Sequence, residues 1–268
     1  MNELQSRLLD MLKWFHMFCE KNGLQYYVLG GTMLGAVRHQ GFIPWDDDID
    51  VGLPRDDYEK IKQLMNDTTF ENRLILEEPF KNKDFIYPYC KLYDTSTTLI
   101  ENAKRKVKRG IYIDVFPLDG IENTEMESKR NYKKIKKLKT LVTLKVVGFR
   151  HGRKFYKNVG VALFRLVPLN PGRLLKELVN ECSKYPYNKY AYCGNLVGNW
   201  GAREIVPRSV MGTPALYKFE TIEVYGAEKA DEYLTSLYGD WRKLPPIEKQ
   251  VTHHDYVELD LRRSYLGV

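Results

Sequence analysis

Four aspartates crowd the stretch Trp45-Asp46-Asp47-Asp48-Ile49-Asp50-Val51, and no other segment restricts the fold of this chain as tightly. Ile49 to Leu53 reads as a β-strand closed by Pro54. Side chains on an extended chain alternate faces, so Asp48 and Asp50 must point the same way. Two carboxylates on one face repel each other unless a cation sits between them. Hard oxygen ligands at that spacing suit Mg2+ or Mn2+, which keep water and substrate phosphate oxygens in their remaining positions. The competing reading is an exposed acidic turn, because aspartate clusters are common in loops and at helix caps. Two neighbours weigh against it. Gly30-Gly31 opens a short helix whose first backbone N–H groups can hold phosphate, and Asp48 follows Gly31 by seventeen residues. Asp114, in Ile111-Tyr112-Ile113-Asp114-Val115-Phe116, has apolar neighbours on both sides. A carboxylate there is costly unless it is charge-paired, hydrogen-bonded or metal-bound.

The remaining periodicities predict an α/β (α+β) chain, a mixed sheet with flanking helices. Leu4, Leu8, Met11, Leu12, Phe15, Phe18 and Cys19 recur at helical spacing, with Asn22-Gly23 as a left-handed stop. Tyr26 to Leu29 is a short strand broken by Gly30-Gly31, and Thr32 is placed to cap a brief helix running to about His39. A helix over Arg55 to Asn66 follows the acidic strand. Further strands are expected at Arg73 to Glu77, Phe85 to Tyr93, Thr97 to Glu101 and Gly110 to Phe116. From Glu125 to about Tyr185 the pattern is mostly helical, broken by Gly148, Gly152, Pro168 and Pro171. Strands return at Tyr190 to Val197 and Leu216 to Tyr225, and Glu228 to Tyr238 is a helix. The expected organisation is a catalytic core at 1–123, a basic helical insertion or subdomain at 124–188, and a C-terminal part at 189–268 that returns to the core.

Charge supports that division. The chain carries a formal +7, yet residues 128–176 hold fifteen Lys or Arg and no Asp or Glu, leaving the rest net −8. Such a basic unit suits nucleic acid, an anionic membrane or a phosphorylated substrate, unless it is simply a solvated helix. Cys19, Cys90, Cys182 and Cys193 form no Cys-x-x-Cys pair and no zinc-finger spacing, so neither a disulfide framework nor structural zinc is implied. The N-terminus lacks the apolar run of a signal peptide, and no apolar stretch reaches the ~18 residues of a membrane span. The expected address is cytoplasmic, with peripheral contact at the inner face of an anionic membrane. The dense basic run Lys129 to Lys139 and the short apolar patches Leu141 to Phe149 and Val159 to Val167 would supply that contact.

Gly30-Gly31-Thr32-Met33-Leu34-Gly35-Ala36-Val37-Arg38-His39, followed by Gly41-Phe42-Ile43-Pro44 and the acidic run through Val51, resembles the signature of the LicD family, to which fukutin-type phosphotransferases are related. The likeness extends to Gly110 through Gly120, Tyr238-Gly239-Asp240 and Pro245-Pro246-Ile247-Glu248-Lys249, sparing the basic middle. The resemblance implies a nucleotidyltransferase-like fold. It also implies a reaction that moves a phospho-alcohol from a CDP-activated donor, CDP-choline above all, to a sugar hydroxyl, releasing CMP. The acceptor it implies is a lipid-linked teichoic acid or other surface glycan precursor. Carried over residue by residue, the pattern puts the metal carboxylates at Asp48 and Asp50, Asp114 in the third acidic position and Asp46 in a further one. The zinc site of the animal relatives finds no matching cysteine cluster.

Other residues are candidates for substrate contact. Arg38 and His39 end the short helix, where a guanidinium could grip a donor phosphate or merely offset the helix dipole. Lys91, between Tyr89 and Tyr93, could face a phosphate or pair with an acidic site residue. His253 and His254 could reach donor or acceptor phosphates, although paired histidines in a polar segment are more often solvated. Trp45 could contribute to an aromatic cage for a quaternary ammonium. Two alternatives stand beside the phosphotransferase: a nucleotidyltransferase with a nucleotide or nucleic-acid product, and a basic nucleic-acid-binding module without catalysis. The last leaves the acidic strand without purpose, and no nucleic-acid partner is expected.

Overall fold

The computed structural model describes residues 1–66, 73–82, 84–101, 106–146, 155–252, 254 and 256–267. The chain opens with α1 (Glu3–Asn22), then β1 (Tyr27–Val28), α2 (Gly30–His39), β2 (Asp50–Pro54) and α3 (Arg55–Asn66). Strands β3 (Leu74–Glu77), β4 (Cys90–Asp94), β5 (Thr98–Glu101), β6 (Lys108–Arg109) and β7 (Tyr112–Gly120) follow. Helices α4 (Glu125–Val146), α5 (Phe155–Leu166) and α6 (Pro171–Cys182) lead into β8 (Tyr192–Gly194), β9 (Val206–Pro207) and α7 (Arg208–Met211). The chain ends with the hairpin β10 (Ala215–Phe219) and β11 (Ile222–Gly226), α8 (Ala230–Tyr238) and β12 (Tyr256–Asp260). This is the expected α/β chain.

The main sheet runs β1-β2-β7-β4-β3, and β8 and β9 continue from the far end of β7. β2 and β7 are parallel and the other pairs antiparallel, so the sheet is mixed. Parallel neighbours are covered on both faces, and accordingly Val51, Leu53, Ile113 and Val115 are fully buried. The termini of α1 follow capping rules. Asn2 and Gln5 exchange the paired hydrogen bonds of a capping box, and Gly23 takes the left-handed φ of 59° that ends the helix. Its buried stripe of Leu8, Met11, Leu12 and Phe15 packs into the core, and α3 lays Tyr58, Ile61 and Met65 against the sheet.

The helical middle is organised differently. α4 turns Tyr132, Ile135, Leu138 and Val142 towards Leu174, Leu175 and Leu178 of α6, whose N-cap Asn170 accepts from Gly172 and Arg173 N–H. All four cysteines are reduced and buried, as expected. Among the described residues no helix is long and apolar enough to cross a membrane.

Several boundaries differ from the sequence reading. β2 starts at Asp50, so Asp48 lies just ahead of the strand rather than on it. β4 covers only the end of Phe85–Tyr93, whereas β7 extends to Gly120, where β8 pairs with it. β12 had no local signal; it pairs with β5, which also holds β6, in a separate small sheet. The breaks expected at Gly148 and Gly152 lie outside the described residues.

At the carboxyl end of the parallel pair, Arg55 donates from Nε (2.8 Å) and Nη2 (2.6 Å) to the two oxygens of Asp119, which is 1% exposed. This bidentate pair pins α3 to β7, and breaking a buried pair strands the remaining charge. Arg55→Met should therefore cost about 3–5 kcal/mol in urea denaturation. Arg55→Met combined with Asp119→Leu should recover most of that loss.

Candidate active site

Register builds the site. In the parallel pair, Asp50 lies directly across from Asp114, and in the antiparallel pair Asp114 lies across from Lys91. Residues opposite one another in a sheet share a face, so three charged side chains stand in a row over β2, β7 and β4. Lys91 is 2% exposed, and its Nζ sits 2.7 Å from Asp114 Oδ1. The ammonium is ringed by Tyr112, Tyr87 and Tyr89, at 3.3, 4.4 and 5.9 Å from the ring centroids. Lys91 thus pairs with an acidic site residue, one of the two roles its position allowed.

The acidic segment enters this row from the side. It is anchored by Gln5 of α1, whose Nε2 donates to the Asp46 carbonyl at 2.9 Å, and by Asp114 N–H donating to Ile49 at 3.0 Å. Alternation holds even ahead of the strand. Asp46 and Asp48 join Asp50 in one electrostatic cluster. Asp47 turns away and accepts from His254 Nδ1 (2.8 Å), Tyr256 Oη (2.8 Å) and the Thr252 hydroxyl. His254 also places Nε2 3.8 Å from Asp48 Oδ2, bridging the two branches. His254 therefore belongs to the site, whereas His253 lies outside the described residues.

The first turn of α2 closes the cluster from above. Gly30 has φ +51°, a conformation that L side chains rarely adopt, and its N–H donates to Tyr233 Oη at 3.3 Å. A Cβ on Gly30 would lie 3.3 Å from Asp50 Oδ2, and one on Gly31 would lie 2.7 Å from Asp46 Oδ2. The two glycines thus admit the carboxylates to the helix N-terminus, whose dipole favours negative charge. Thr32 does not cap the helix: the N-cap is Leu29, without a side-chain bond. The Thr32 hydroxyl is buried one turn in and accepts from Asp50 N–H at 2.9 Å, tying α2 to β2. Arg38 and His39 end the helix, Arg38 about 12 Å from Gly30 at 1.5 Å per residue. Arg38 Nε donates to His39 Nε2 at 3.0 Å, and Nη1 donates to the Trp241 carbonyl at 2.8 Å. These side chains thus bond to each other and to Trp241. Trp45 is half-buried with its ring against the core.

Electrostatics sets this cluster apart. Burial, then Asp48 and Asp114, pushes Asp50 well above the usual carboxylate range. Burial and Asp48 push Asp46 up to about 8. Asp48 is raised by burial although His254 and Lys91 oppose it. Burial acts to lower Lys91, but Asp114 and Tyr87 hold it above the ordinary lysine value, so it stays charged. On the other branch, burial would raise Asp47, yet the bonds from His254 and Thr252 bring it below its ordinary value, and that same bond pushes His254 up to about 9. Four carboxylates thus face Lys91 and a histidine whose closest bond is to Asp47. Among the described residues no three His, Cys, Asp or Glu side chains form a finished metal cage. The donor set nevertheless fits a hard divalent cation in its chemistry: carboxylate oxygens, surplus negative charge and a glycine turn that leaves room.

Besides Gln5, Tyr87, Tyr112, Thr252 and Tyr256, four more contributors escaped the sequence reading. Tyr89 approaches Asp114 Oδ2 at 3.5 Å and stands two residues before Lys91, so alternation could have found it. Tyr233 and Glu204 gave no local signal, whereas Tyr238 stood in the family-like stretch Tyr238-Gly239-Asp240 without being singled out as a site residue. Tyr238 Oη would lie 3.9 Å from a Gly30 Cβ, while Glu204, pushed up to about 7 by burial, adds to the charge felt by Asp50.

The chain is similar in sequence to several known proteins. Residues 23–149 match the LicD/FKTN/FKRP nucleotidyltransferase domain. The chain is similar to the lipopolysaccharide cholinephosphotransferase LicD of Haemophilus influenzae, 29% identical over 262 residues that cover 95% of this chain and 96% of that protein. Shorter likenesses join it to mannosyltransferase regulator 4 of Saccharomyces cerevisiae, 28% identical over 47% of this chain and 11% of that protein. The human ribitol 5-phosphate transferase FKRP is 44% identical over 17% of this chain and 9% of its own length.

Because Asp47 gathers three donors from 252–256, Asp47→Ala should release that segment while leaving the sheet intact. Hydrogen exchange should show amides of Thr252, His254 and Tyr256 exchanging at least about tenfold faster, the equivalent of losing ~1.4 kcal/mol of local stability. Exchange in β2 and β7 should be unchanged.

Proposed function

We propose that this chain, similar to the LicD family over most of its length, is a divalent-cation-dependent phosphotransferase that moves a phospho-alcohol from a CDP-activated donor to a sugar hydroxyl. Phosphocholine is the favoured group, since the relative matched along nearly its whole length is named a cholinephosphotransferase. The acceptor is a surface glycan precursor, a lipopolysaccharide or teichoic acid unit. The observation that carries this reading is the row Asp50, Asp114, Lys91 with Asp46 and Asp48 beside it, a crowd of buried carboxylates whose mutual repulsion a bound cation would relieve.

Asp48 and Asp50, with Asp114 next to them, are the residues that would hold Mg2+ or Mn2+. When bound, the cation supplies charge neutralisation at the transferring phosphate. The protein's own groups supply the rest. Lys91 holds Asp114 in place and keeps one positive charge under the cluster, and Thr32 fixes the Asp50 backbone. Gln5 fixes the loop that aims Asp46 and Asp48. In the transfer, the acceptor oxygen bonds to the phosphorus carrying the alcohol, the bond from that phosphorus to the bridging oxygen breaks, and CMP leaves with that oxygen. The acceptor's proton passes to solvent or to a carboxylate of the cluster.

Incubating the protein and a glycan acceptor with Mg2+ and, in turn, CDP-choline, CDP-glycerol, CDP-ribitol and CTP tests the reading. CMP release from a CDP-alcohol supports it, whereas pyrophosphate release from CTP with CMP joined to the acceptor would make the protein an ordinary nucleotidyltransferase. Asp48→Asn and Asp50→Asn should each lower turnover by a hundredfold or more, corresponding to ~3 kcal/mol of lost transition-state stabilisation. Both should melt no lower than wild type, because each removes a repelling charge from a buried cluster. Full activity in EDTA would refute the cation.

A further inference from the structure

α5 has one side against the protein and the other bare. Val161 is buried, and Lys145 of α4 donates to the carbonyls of Phe164 and Val167 while lying 5.2 Å from the Phe164 ring centroid. On the opposite side Tyr156, Val159, Leu163 and Leu166 are 64, 38, 62 and 80% exposed. Gly160 and Ala162 share that exposure, and Val167, Pro168 and Leu169 prolong it past the helix end. At about 100° per residue these positions sweep roughly 160° of the helix surface, with Val161 outside the arc. Each exposed residue described on that arc is apolar. Single exposed leucines are ordinary, but a continuous apolar face marks a surface that meets something.

The surrounding charge identifies the partner. Residues 128–176 carry fifteen basic residues and no acidic one, including Arg150, Arg153 and Lys154 just ahead of α5. A second copy would bring the same positive charge to the same face and be repelled. A nucleic acid would satisfy the charge and leave the leucines in water. An anionic bilayer satisfies both, with headgroups for the lysines and arginines and the acyl boundary for the apolar arc. Twelve residues rise only about 18 Å, short of the ~30 Å hydrocarbon core, so the helix lies in the membrane plane. The other apolar patch of the sequence contributes little, since Val142 is buried and Leu141 packs against the core, while 147–149 lie outside the described residues.

We propose that α5 is a docking helix, laid flat on an anionic lipid surface through Tyr156, Val159, Leu163 and Leu166. This stands independently of which donor the acidic site takes.

The test uses the full chain and vesicles of phosphatidylcholine with and without phosphatidylglycerol. Wild type should sediment with the anionic vesicles at least about tenfold more than with the neutral ones, and Leu163→Glu with Leu166→Glu should lower that partition about tenfold or more. The double variant should keep the wild-type circular dichroism and melting midpoint. Tyr156→Trp gives a second readout that adds no charge: its emission should shift to the blue when anionic vesicles are added. Equal sedimentation with both vesicle types, undiminished binding by the folded double variant, or an unshifted Trp emission would each overturn the proposal. So would a dimer dispersed by the double variant, or tight DNA or RNA binding that it abolishes. CMP release measured in solution reports on the acidic site alone, so failure of either reading is recognised separately.

Discussion

The parallel pairing of β2 with β7 sets Asp50 directly across from Asp114, and this enforced neighbourhood of like charges is what the surrounding structure is organised to bear. Two carboxylates held side by side in a half-buried sheet raise each other's proton affinity, and burial adds to the effect. Lys91, in register on the next strand, compensates one of them. The N-terminal turn of α2 approaches the others, and it can do so because Gly30 and Gly31 have no Cβ to collide with Asp50 and Asp46. Each of these contacts would be pointless around a neutral pair. Together they hold a cluster of carboxylates whose proton affinity is raised well above the ordinary range.

A second constraint separates the four aspartates by role. Alternation sends Asp46, Asp48 and Asp50 one way and Asp47 the other, so one run of sequence serves both the cluster and the clamp on 252–256. Residues far along the chain are thereby drawn to the site. His254 meets Asp47 and Asp48, and its own ring is kept protonated by the first of them. The same stretch continues into β12, which joins β5 in the small sheet, so the tail is secured at both ends.

The helical middle obeys a different logic. α4 and α6 bury conventional apolar stripes against each other, whereas α5 keeps only Val161 and its neighbourhood inside and leaves Leu163 and Leu166 outside. Sequence periodicity alone treats Leu141 to Phe149 and Val159 to Val167 as equivalent apolar patches. Packing makes them unlike: the helix of the first faces α6 and the core, whereas the second is covered on its Val161 side and leaves Val159, Leu163 and Leu166 exposed.

The sequence by itself determined the local features: α1 with its Gly23 stop, the helix over Arg55–Asn66, the breaking of a strand at Gly30-Gly31, and the shared direction of Asp48 and Asp50. Each depends on a period of 3.6 or 2, or on a residue with a special φ, and such properties are encoded within a few positions. Tertiary structure decided the rest. Which strand lies beside which is a matter of register between distant segments, so the Asp50–Asp114–Lys91 row was not legible even though all three residues were singled out. Thr32 looked like a cap but became a strap to β2, because the helix begins at Gly30 and places the Thr32 hydroxyl two residues inside it, against the Asp50 N–H. Tyr233 and Glu204 reach the cluster only through folding of the C-terminal third, where no local pattern signals proximity to a glycine turn some two hundred residues earlier. Periodicity fixes the direction in which a side chain points, and only the assembled sheet fixes what it then faces.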